Sequence, residues 1–450
     1  MCFEKVNDSS IERVKCARLK NNGGSLFPLE RFLVYNSLME LLAPAGNLEK
    51  LKTAVRFGAD AVYCGAGAYS LRVPEASLTP DELAEGISFA HEQGRRVYLA
   101  MNIFPFDEDF AGMLAYFKEA VAMGIDAVIV SDSGLFYAIR RLKTGVEIHL
   151  STQANTTNSE SVRFWKDQGV SRIILARELS LDRIRSIKQN VPGMGLEIFG
   201  HGAMCVAFSG RCLLSSLLTG RSANRGLCTQ PCRWEYRLQE ADHDEEPLIH
   251  ENERGTYILN SRDLCMIEHL PALAEAGVDG LKIEGRMKTA YYVAAVTRVY
   301  RAAIDRYKDP AVEYALDPRW QEELDKIPHR PYTTGFYFPN LAEETEYTSK
   351  ASPIRNYDFV GTVDHHNIKE ERLKILARNR FSVGDVLEIL DPACPDIIKV
   401  QVRTIIDERT GNSLQQAHNS YIVQIPFPCK AGLKISEHAV IRARSRDNNR

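Results

Sequence analysis

Four stretches of the chain repeat one order of polar and apolar positions: a helical amphipathic pattern, a glycine and a short apolar run. They are AVRFGADAVYCG (54–65), AVAMGIDAVIVSD (120–132), WKDQGVSRIILARE (165–178) and LAEAGVDGLKIEGR (273–286). Glycine readily ends a helix in the left-handed conformation, and an unbroken β-branched run is typical of a strand buried on both faces. The repeat therefore predicts parallel strands that alternate with helices.

Further apolar runs fill the gaps between these repeats. They are LLAPAG (41–46), RVYLAMN (96–102), EIHLSTQAN (147–155) and LEIFGHG (196–202). Eight strands with helices between them, within about 250 residues, is the count of a TIM-type (β/α)8 barrel. A doubly wound open sheet has the same alternation and is the alternative. We expect the α/β barrel.

The spacing of these units also predicts the domain organisation. The barrel should occupy 39–308, with a cysteine-rich segment inserted at 203–263 between the seventh and eighth strands. Short β segments separated by turn residues follow, and they predict a small all-β, barrel-like domain over 349–450, joined by a linker at 309–348. Residues 1–38 lack periodicity, and we expect a poorly ordered extension.

Composition is that of an ordinary soluble protein. The 450 residues are 44% hydrophobic and 26% charged, with a formal net charge of −3. Nucleic-acid binding would therefore need a local basic patch. No apolar run reaches the roughly 20 residues that span a bilayer, and the N-terminus lacks the apolar core of a secretory signal. We expect a cytoplasmic protein without a membrane partner.

Four of the ten cysteines lie close together in the inserted segment. They are Cys205, Cys212, Cys228 and Cys232, whereas the other six are scattered. Four converging thiolates suit tetrahedral Zn²⁺ or a 4Fe-4S cluster. Their spacing matches neither common zinc ribbons nor bacterial ferredoxins, so an iron–sulfur cluster, zinc and metal-free thiols all stay open at this point.

Polar residues follow the ends of the predicted strands, where barrel enzymes build their active sites. The catalytic candidates are Asn102, Asp132, Gln153, Glu178, His201 and Glu284, and the binding candidates at the same tips are Asn155, Arg177 and Arg286. Each has a structural alternative. Asp132 could cap the next helix, Glu178 could pair with Arg177, and the two amides could close the barrel mouth by hydrogen bonding.

Arginines and aromatic residues crowd the cysteine segment and the last barrel helix. Arg211, Arg233, Arg286 and Lys288 are candidate anion-binding residues, and Trp234, Tyr236, Tyr291 and Tyr292 are near them in sequence. Arginine suits phosphate and carboxylate, and aromatic rings suit stacked bases. This favours an anionic, base-bearing partner over a merely solvated helix face.

A longer motif resembles a known family. The run EIFGHGAMC (197–205), followed by GRC (210–212) and LS (214–215), resembles the motif of the collagenase-like peptidase family of undetermined catalytic type. LLAPAGN, YSLRV, LSTQAN, SGRCLLS, CRWEY and GLKIEGR extend the resemblance over about residues 39–445. The chain has no HExxH, GxSxG, P-loop or GxGxxG signature that would suggest another enzyme class.

Within that family the chain is most similar to members that hydroxylate tRNA. The resemblance implies a barrel with a C-terminal β domain, and a 4Fe-4S cluster on the four clustered cysteines, with zinc as the alternative. It also implies 5-hydroxyuridine formation at the wobble position, the tRNA anticodon loop as partner, and prephenate as a required metabolite. Prephenate is a dicarboxylate, for which Arg72, Arg177 and Arg286 are candidate ligands.

Two other functions stay open at the level of the sequence. One is a metal-dependent peptidase, which gave the family its name, and the other is a non-catalytic binding protein stabilised by zinc. A paralogous or identical partner subunit also stays open.

Overall fold

The computed structural model describes most of the chain from Met39 onward. The described ranges are 39–71, 77–205, 207–233, 251–252, 255–256, 262–338, 354–428 and 433–446. The predicted N-terminal extension and Arg72 lie outside them.

Seven parallel strands with intervening helices form the first part of the fold, as the sequence predicts. The strands are β1 Glu40–Ala45, β2 Ala61–Gly65, β3 Arg96–Met101, β4 Ala127–Val130, β5 Glu147–Leu150, β6 Arg172–Ile174 and β7 Gly195–Ala203. The helices are α1 Leu48–Arg56, α2 Pro80–Glu92, α3 Phe110–Met123, α4 Ser133–Arg141, α5 Ser159–Asp167 and α6 Leu181–Asn190. Most begin at a capping side chain; Thr79 and Glu82 form a full capping box on α2.

The inserted segment and the last strand complete the barrel. The elements are α7 Leu214–Thr219, β8 Glu251–Asn252, β9 Gly255–Thr256, β10 Asp263–Cys265, α8 Leu270–Glu275 and β11 Gly280–Ile283. Strand β11 pairs in parallel with both β7 and β1. That double pairing closes an eight-stranded parallel barrel, so the predicted TIM-type fold is confirmed and the open sheet is excluded.

The last barrel helix is α9 Ala290–Lys308, which follows β11. Two further elements pack onto the barrel after it, α10 Pro318–Asp325 and β12 Tyr332–Thr333. Strand β12 pairs in parallel with β10, which itself runs antiparallel to β7. Helix α10 and strand β12 fall within the predicted linker at 309–348. Among the described residues, no helix is long and apolar enough to cross a membrane.

The C-terminal part is an antiparallel half-barrel. Its strands are β13 Tyr357–Asn367, β14 Arg372–Ala377, β15 Phe381–Ser382, β16 Val386–Leu390, β17 Ile398–Gln401, β18 Ile405–Asp407, β19 Ser413–Leu414, β20 Gln416–Ala417, β21 Ile422–Pro426 and β22 Val440–Arg444. The main sheet has eight strands in the order β17-β16-β22-β13-β14-β21-β18-β19. It buries its own apolar core. Arg442 pairs with Glu388 within the sheet and connects the sheet to α10 by an ion pair to Glu323.

Charged side chains fill the lower interior of the barrel, near the N-terminal ends of the strands. Arg172 pairs with Glu40 and lies 3.3 Å from Glu197, whose other carboxylate oxygen lies 3.2 Å from the Lys282 ammonium. Tyr98 donates its hydroxyl to Glu40. Buried charges persist only when paired, so this network forms a fixed polar floor beneath the mouth of the barrel.

Candidate active site

A cavity with about 930 Å³ of empty space, part of it open to solvent, lies at the C-terminal ends of the barrel strands. Predicted tip residues from four different strands line it: Asn102, Gln153, Arg177, Glu284 and Arg286. These residues are up to 184 positions apart in the chain, since 286 − 102 = 184. Parallel strands bring them together because all their carboxyl ends meet at one face of the barrel.

All four clustered cysteines line the same cavity. The backbone N–H of Leu214 points at Cys212 Sγ and that of Gln230 at Cys228 Sγ, each at 3.4 Å. Asn224 Oδ1 accepts a hydrogen bond from the Cys212 backbone N–H at 3.2 Å. The inserted segment therefore folds over the barrel mouth with its thiols directed to one space.

This donor set fits an iron–sulfur cluster in kind and number. Four soft sulfur ligands are what a 4Fe-4S cluster needs, and backbone N–H groups aimed at sulfur stabilise thiolate ligands and tune such centres. Within the described ranges, no group of three or more His, Cys, Asp or Glu side chains is close enough together to hold a metal ion. The fit thus rests on the chemistry of the donors and on their shared cavity.

Glu178 helps to set the conformation of the cysteine segment. Its two carboxylate oxygens accept hydrogen bonds from the backbone N–H and the hydroxyl of Ser209, at 2.6 and 2.7 Å. Ser209 has a positive φ of 45°, which is rare for a residue with a side chain. Glu178 does not line the cavity. It anchors the strained turn between Cys205 and Cys212.

Every second residue of β11 and its extension faces the cavity. Lys282, Glu284 and Arg286 line it, while the alternate residues Leu281 and Ile283 are buried apolar groups. Lys282 is a site residue that the sequence analysis missed. A lone lysine in an otherwise apolar strand was the available signal. Burial lowers the pKa of Lys282, against the opposing effect of Glu197.

Arg177 and Gln153 present buried polar atoms at the cavity wall. The Arg177 guanidinium lies 4.0 Å from the centre of the Phe199 ring and 3.8 Å from the Glu284 carboxylate. Gln153 donates its amide nitrogen to the Gly210 carbonyl at 3.3 Å, which leaves its oxygen as an acceptor. Arg177 Nε and Gln153 Oε1 have no partner among the described residues. Such atoms are costly in a folded protein, and a bound ligand can satisfy them.

Two predicted binding arginines are held by protein partners. Arg286 donates to the Ser70 hydroxyl at 2.8 Å and is buried. Arg211 donates to the Gln153 carbonyl at 2.8 Å and covers the Phe104 ring at 5.3 Å. Arg286 lines the cavity and Arg211 does not.

His201 is absent from the cavity lining. A bulge at Gly200 shifts the register between β7 and β11, so that His201 pairs with Ile283 and shares its outward face. There the imidazole is fully buried and contacts the rings of Tyr292, Tyr300 and Tyr332. Burial lowers its pKa to about 3, helped by His329 and Lys288. His201 therefore lies behind the wall of the cavity rather than in it, and its predicted catalytic role stays a prediction.

The buried His201 should make the fold acid-sensitive. The folded state resists protonation, while the unfolded chain takes up the proton near pH 6.5. Stability from this group is therefore complete above that pH and is lost as the pH falls toward 3, by up to about 1.4 kcal/mol per pH unit. Urea unfolding at several pH values measures this effect. As the pH falls, the free energy of unfolding should decrease less steeply for His201→Asn than for the wild type. Equal slopes would refute a neutral His201.

Other predicted residues lie around the cavity rather than in its wall. Asp132 accepts the backbone N–H of Leu135 at 2.7 Å and so caps α4, the structural alternative named above. Asn155 has a positive φ of 55° and a buried Oδ1 that lacks a partner within the described part of the chain. Lys288 donates to the Pro328 carbonyl at 3.3 Å. Their proposed roles in substrate binding or catalysis stay predictions.

The aromatic residues predicted to meet bases are placed differently from the expectation. Tyr291 and Tyr292 are buried in α9 against the barrel and the C-terminal sheet. Trp234, Tyr236 and the Arg233 side chain lie outside the described residues, as Arg72 does.

The chain is similar to proteins named for tRNA hydroxylation and to a protein named as a collagenase. A model described as peptidase family U32 matches residues 46–347, and one described as the C-terminal domain of that family matches 355–442. The tRNA hydroxylation protein P1 of Bacillus subtilis is 40% identical over 84% of this chain and 89% of its own. The tRNA hydroxylation protein P of Escherichia coli is 39% identical over 78% and 86%. A collagenase of Porphyromonas gingivalis is 35% identical over 72% and 79%.

Proposed function

The chain belongs to peptidase family U32, and on that premise we propose that it is a tRNA hydroxylase that forms 5-hydroxyuridine at the wobble position. One observation carries this: four cysteines and the charged groups Arg177, Lys282, Glu284 and Arg286 line a single cavity at the catalytic face of a barrel. Relatives named for tRNA hydroxylation match nearly the whole of their own length. We accordingly propose that the protein acts in the cytoplasm, where its tRNA substrate would be.

We propose that Cys205, Cys212, Cys228 and Cys232 hold a 4Fe-4S cluster. When bound, such a cluster would supply redox or Lewis-acid chemistry at the cavity. The chain's own residues would orient the substrate and exclude water. Anaerobic purification followed by iron and sulfide analysis tests this. A colourless protein that contains only zinc would overturn it and would favour the zinc-stabilised binding protein.

The cationic side of the cavity is suited to a dicarboxylate such as prephenate. The Arg177 guanidinium can grip a carboxylate by two parallel hydrogen bonds, and Arg286 and Lys282 add two more positive charges to the same wall. Arg177 pairs only loosely with Glu284, at 3.8 Å. A ligand carboxylate can therefore engage the guanidinium, including its Nε, which has no partner among the described residues.

Replacing Arg177 by lysine should raise the concentration of prephenate that the reaction needs. Lysine keeps the charge but cannot make two parallel bonds to a carboxylate. We expect the prephenate concentration for half-maximal hydroxylation to rise about ten-fold, with a smaller change in the maximal rate. Titrating prephenate into a tRNA hydroxylation assay measures both quantities. Arg185→Lys, on the surface of α6 beside Asp182, is the matched control. If Arg177→Lys needs the same prephenate concentration as the wild type, prephenate does not bind at this wall of the cavity.

A peptidase mechanism has less support from the geometry. It needs a nucleophile beside a base, or a catalytic metal with an open position. Cys205 lines the cavity, but His201, the base nearest in sequence, faces the opposite side of its strand, and burial lowers its pKa to about 3, which makes it a weak base. Incubation with denatured collagen, with and without chelator, tests this alternative. Robust chelator-sensitive cleavage would overturn our proposal.

The proposed reaction is tested by analysis of tRNA nucleosides. Cells that lack this protein and any second hydroxylase should lose 5-hydroxyuridine and its derivatives from tRNA. Unchanged levels would refute the proposed function.

A further inference from the structure

An exposed apolar and basic rim borders the cavity. The cysteine segment exposes five large apolar side chains, and the loop after β3 adds Phe106; they are Phe208, Leu213, Leu217, Leu218, Leu227 and Phe106. Several exposed large apolar side chains within one short segment indicate an interaction site. We call the described part of this segment, 207–233, together with 104–109, the rim.

Charge is divided unevenly over the rim: the loop 104–109 holds Asp107, Glu108 and Asp109, whereas the charged residues of 207–233 are all basic. Residues 207–233 contain Arg211, Arg221, Arg225 and Arg233 and no Asp or Glu. Asp109, in the opposing loop, neutralises Arg225. Arg211 and Arg221 are exposed. The 207–233 side of the rim is therefore suited to an anionic partner that also offers flat apolar groups.

Arg225 and Asp109 hold the Phe106 loop and ring in place. The Arg225 guanidinium lies 4.5 Å from the ring centre. Asp109 grips that guanidinium at 2.8 and 3.1 Å, and the Phe104 carbonyl accepts from it at 3.2 Å. Asp109 also accepts the Phe106 backbone N–H at 2.7 Å. The ring is fixed, yet 58% of the residue is exposed. Nothing in this arrangement is needed to bury an apolar core.

The Phe106 loop is bonded to the residues that carry the proposed cluster ligands. Phe104 donates its backbone N–H to the Asn224 carbonyl at 3.1 Å, and the Asn224 side chain accepts the backbone N–H of Cys212 at 3.2 Å. Arg211, which covers the Phe104 ring, bonds the Gln153 backbone in the cavity wall. Anything bound on Phe106 is thus held in fixed register with the cavity.

We propose that the rim binds single-stranded RNA, with Phe106 backed by Arg225 and Phe208 stacking the bases that flank the target nucleotide. This rests on the proposed function and adds where and how the substrate loop is held. Base stacking on aromatic rings, with cation–π support from arginine, is how single-stranded nucleic acid is bound without sequence readout. A protein partner could also cover leucines, but Arg211 and Arg221, which have no acidic partner among the described residues, match phosphates.

Substitutions at Phe106 test the rim. Phe106→Ala should weaken binding of a labelled anticodon stem-loop RNA to the full-length protein about ten-fold, and Phe106→Trp should restore it. The KM for tRNA should rise with little change in kcat. The matched control is Tyr137→Ala on α4, because Tyr137 is 60% exposed and has Arg141 over its ring at 5.5 Å. A melting temperature for each variant confirms folding.

Each outcome decides between separate claims. Wild-type affinity and KM in a folded Phe106→Ala protein would overturn the stacking role while leaving the hydroxylase proposal intact. A wild-type protein that binds no RNA would overturn both. If Leu213→Ser with Leu217→Ser changes the oligomeric state but not RNA affinity, the rim is a protein interface and the inference is wrong.

Discussion

A Cys212→Ala protein, purified anaerobically, should lack iron–sulfur absorption and form no 5-hydroxyuridine. Cys212 lines the cavity with the other three thiols and receives the backbone N–H of Leu214 on its sulfur. A 4Fe-4S cluster needs all four thiolates, so one alanine should reduce activity at least about 100-fold. The barrel should remain folded, because Cys212 is only partly buried and lies in the inserted segment rather than in a core strand.

Cys394→Ala is the matched control. Cys394 is also partly buried, but it lies in the C-terminal part, in the turn between β16 and β17. That variant should retain iron, sulfide and activity. A full complement of cluster in Cys212→Ala would show that the proposed ligand set is wrong, and cluster loss in both variants would show that the assay reports general instability.

A Glu197→Ala protein should lose about 3–5 kcal/mol of unfolding free energy. Glu197 is fully buried and neutralises both Lys282 and Arg172. Without it, Lys282 stays buried with an uncompensated charge, while Arg172 keeps Glu40. Burial alone raises the pKa of Glu197, but Lys282 and Arg172 outweigh it and lower the pKa. Its contribution is therefore present at neutral pH and is lost as the pH falls through that lowered value.

Denaturant unfolding measures this loss. A double variant, Glu197→Leu with Lys282→Met, removes both buried charges and should recover part of the stability, because a missing partner costs more than a missing pair. A single Glu197→Ala variant as stable as the wild type would contradict the network of the barrel floor.

Much of the fold could be predicted because its signals are local. Glycines such as Gly124 and Gly277 adopt positive φ at helix ends, as the repeat requires. Because parallel strands of a barrel must be buried on both faces, their β-branched runs mark them clearly. Once those strands were placed, geometry alone gathered Gln153, Arg177 and Glu284 into one cavity with the four cysteines.

The misses came from features that depend on non-local pairing. The Gly200 bulge appears only in the register between β7 and β11, and it turns His201 away from the mouth. The role of Lys282 depends on Glu197, 85 positions earlier in the chain. Phe106 becomes a supported, exposed ring only because Arg225 reaches it from the inserted segment. The two partners of each of these contacts lie far apart in the chain, so no local sequence pattern reveals them.

Mass spectrometry of tRNA nucleosides shows whether this cavity hydroxylates tRNA uridine. The host is a strain that lacks its own tRNA uridine hydroxylases. It carries either this chain or its Cys212→Ala variant. Our account predicts 5-hydroxyuridine or its derivatives at the wobble position with the wild-type chain and none with the variant, when both proteins are present at equal levels. Equal nucleoside profiles from the two strains would contradict it.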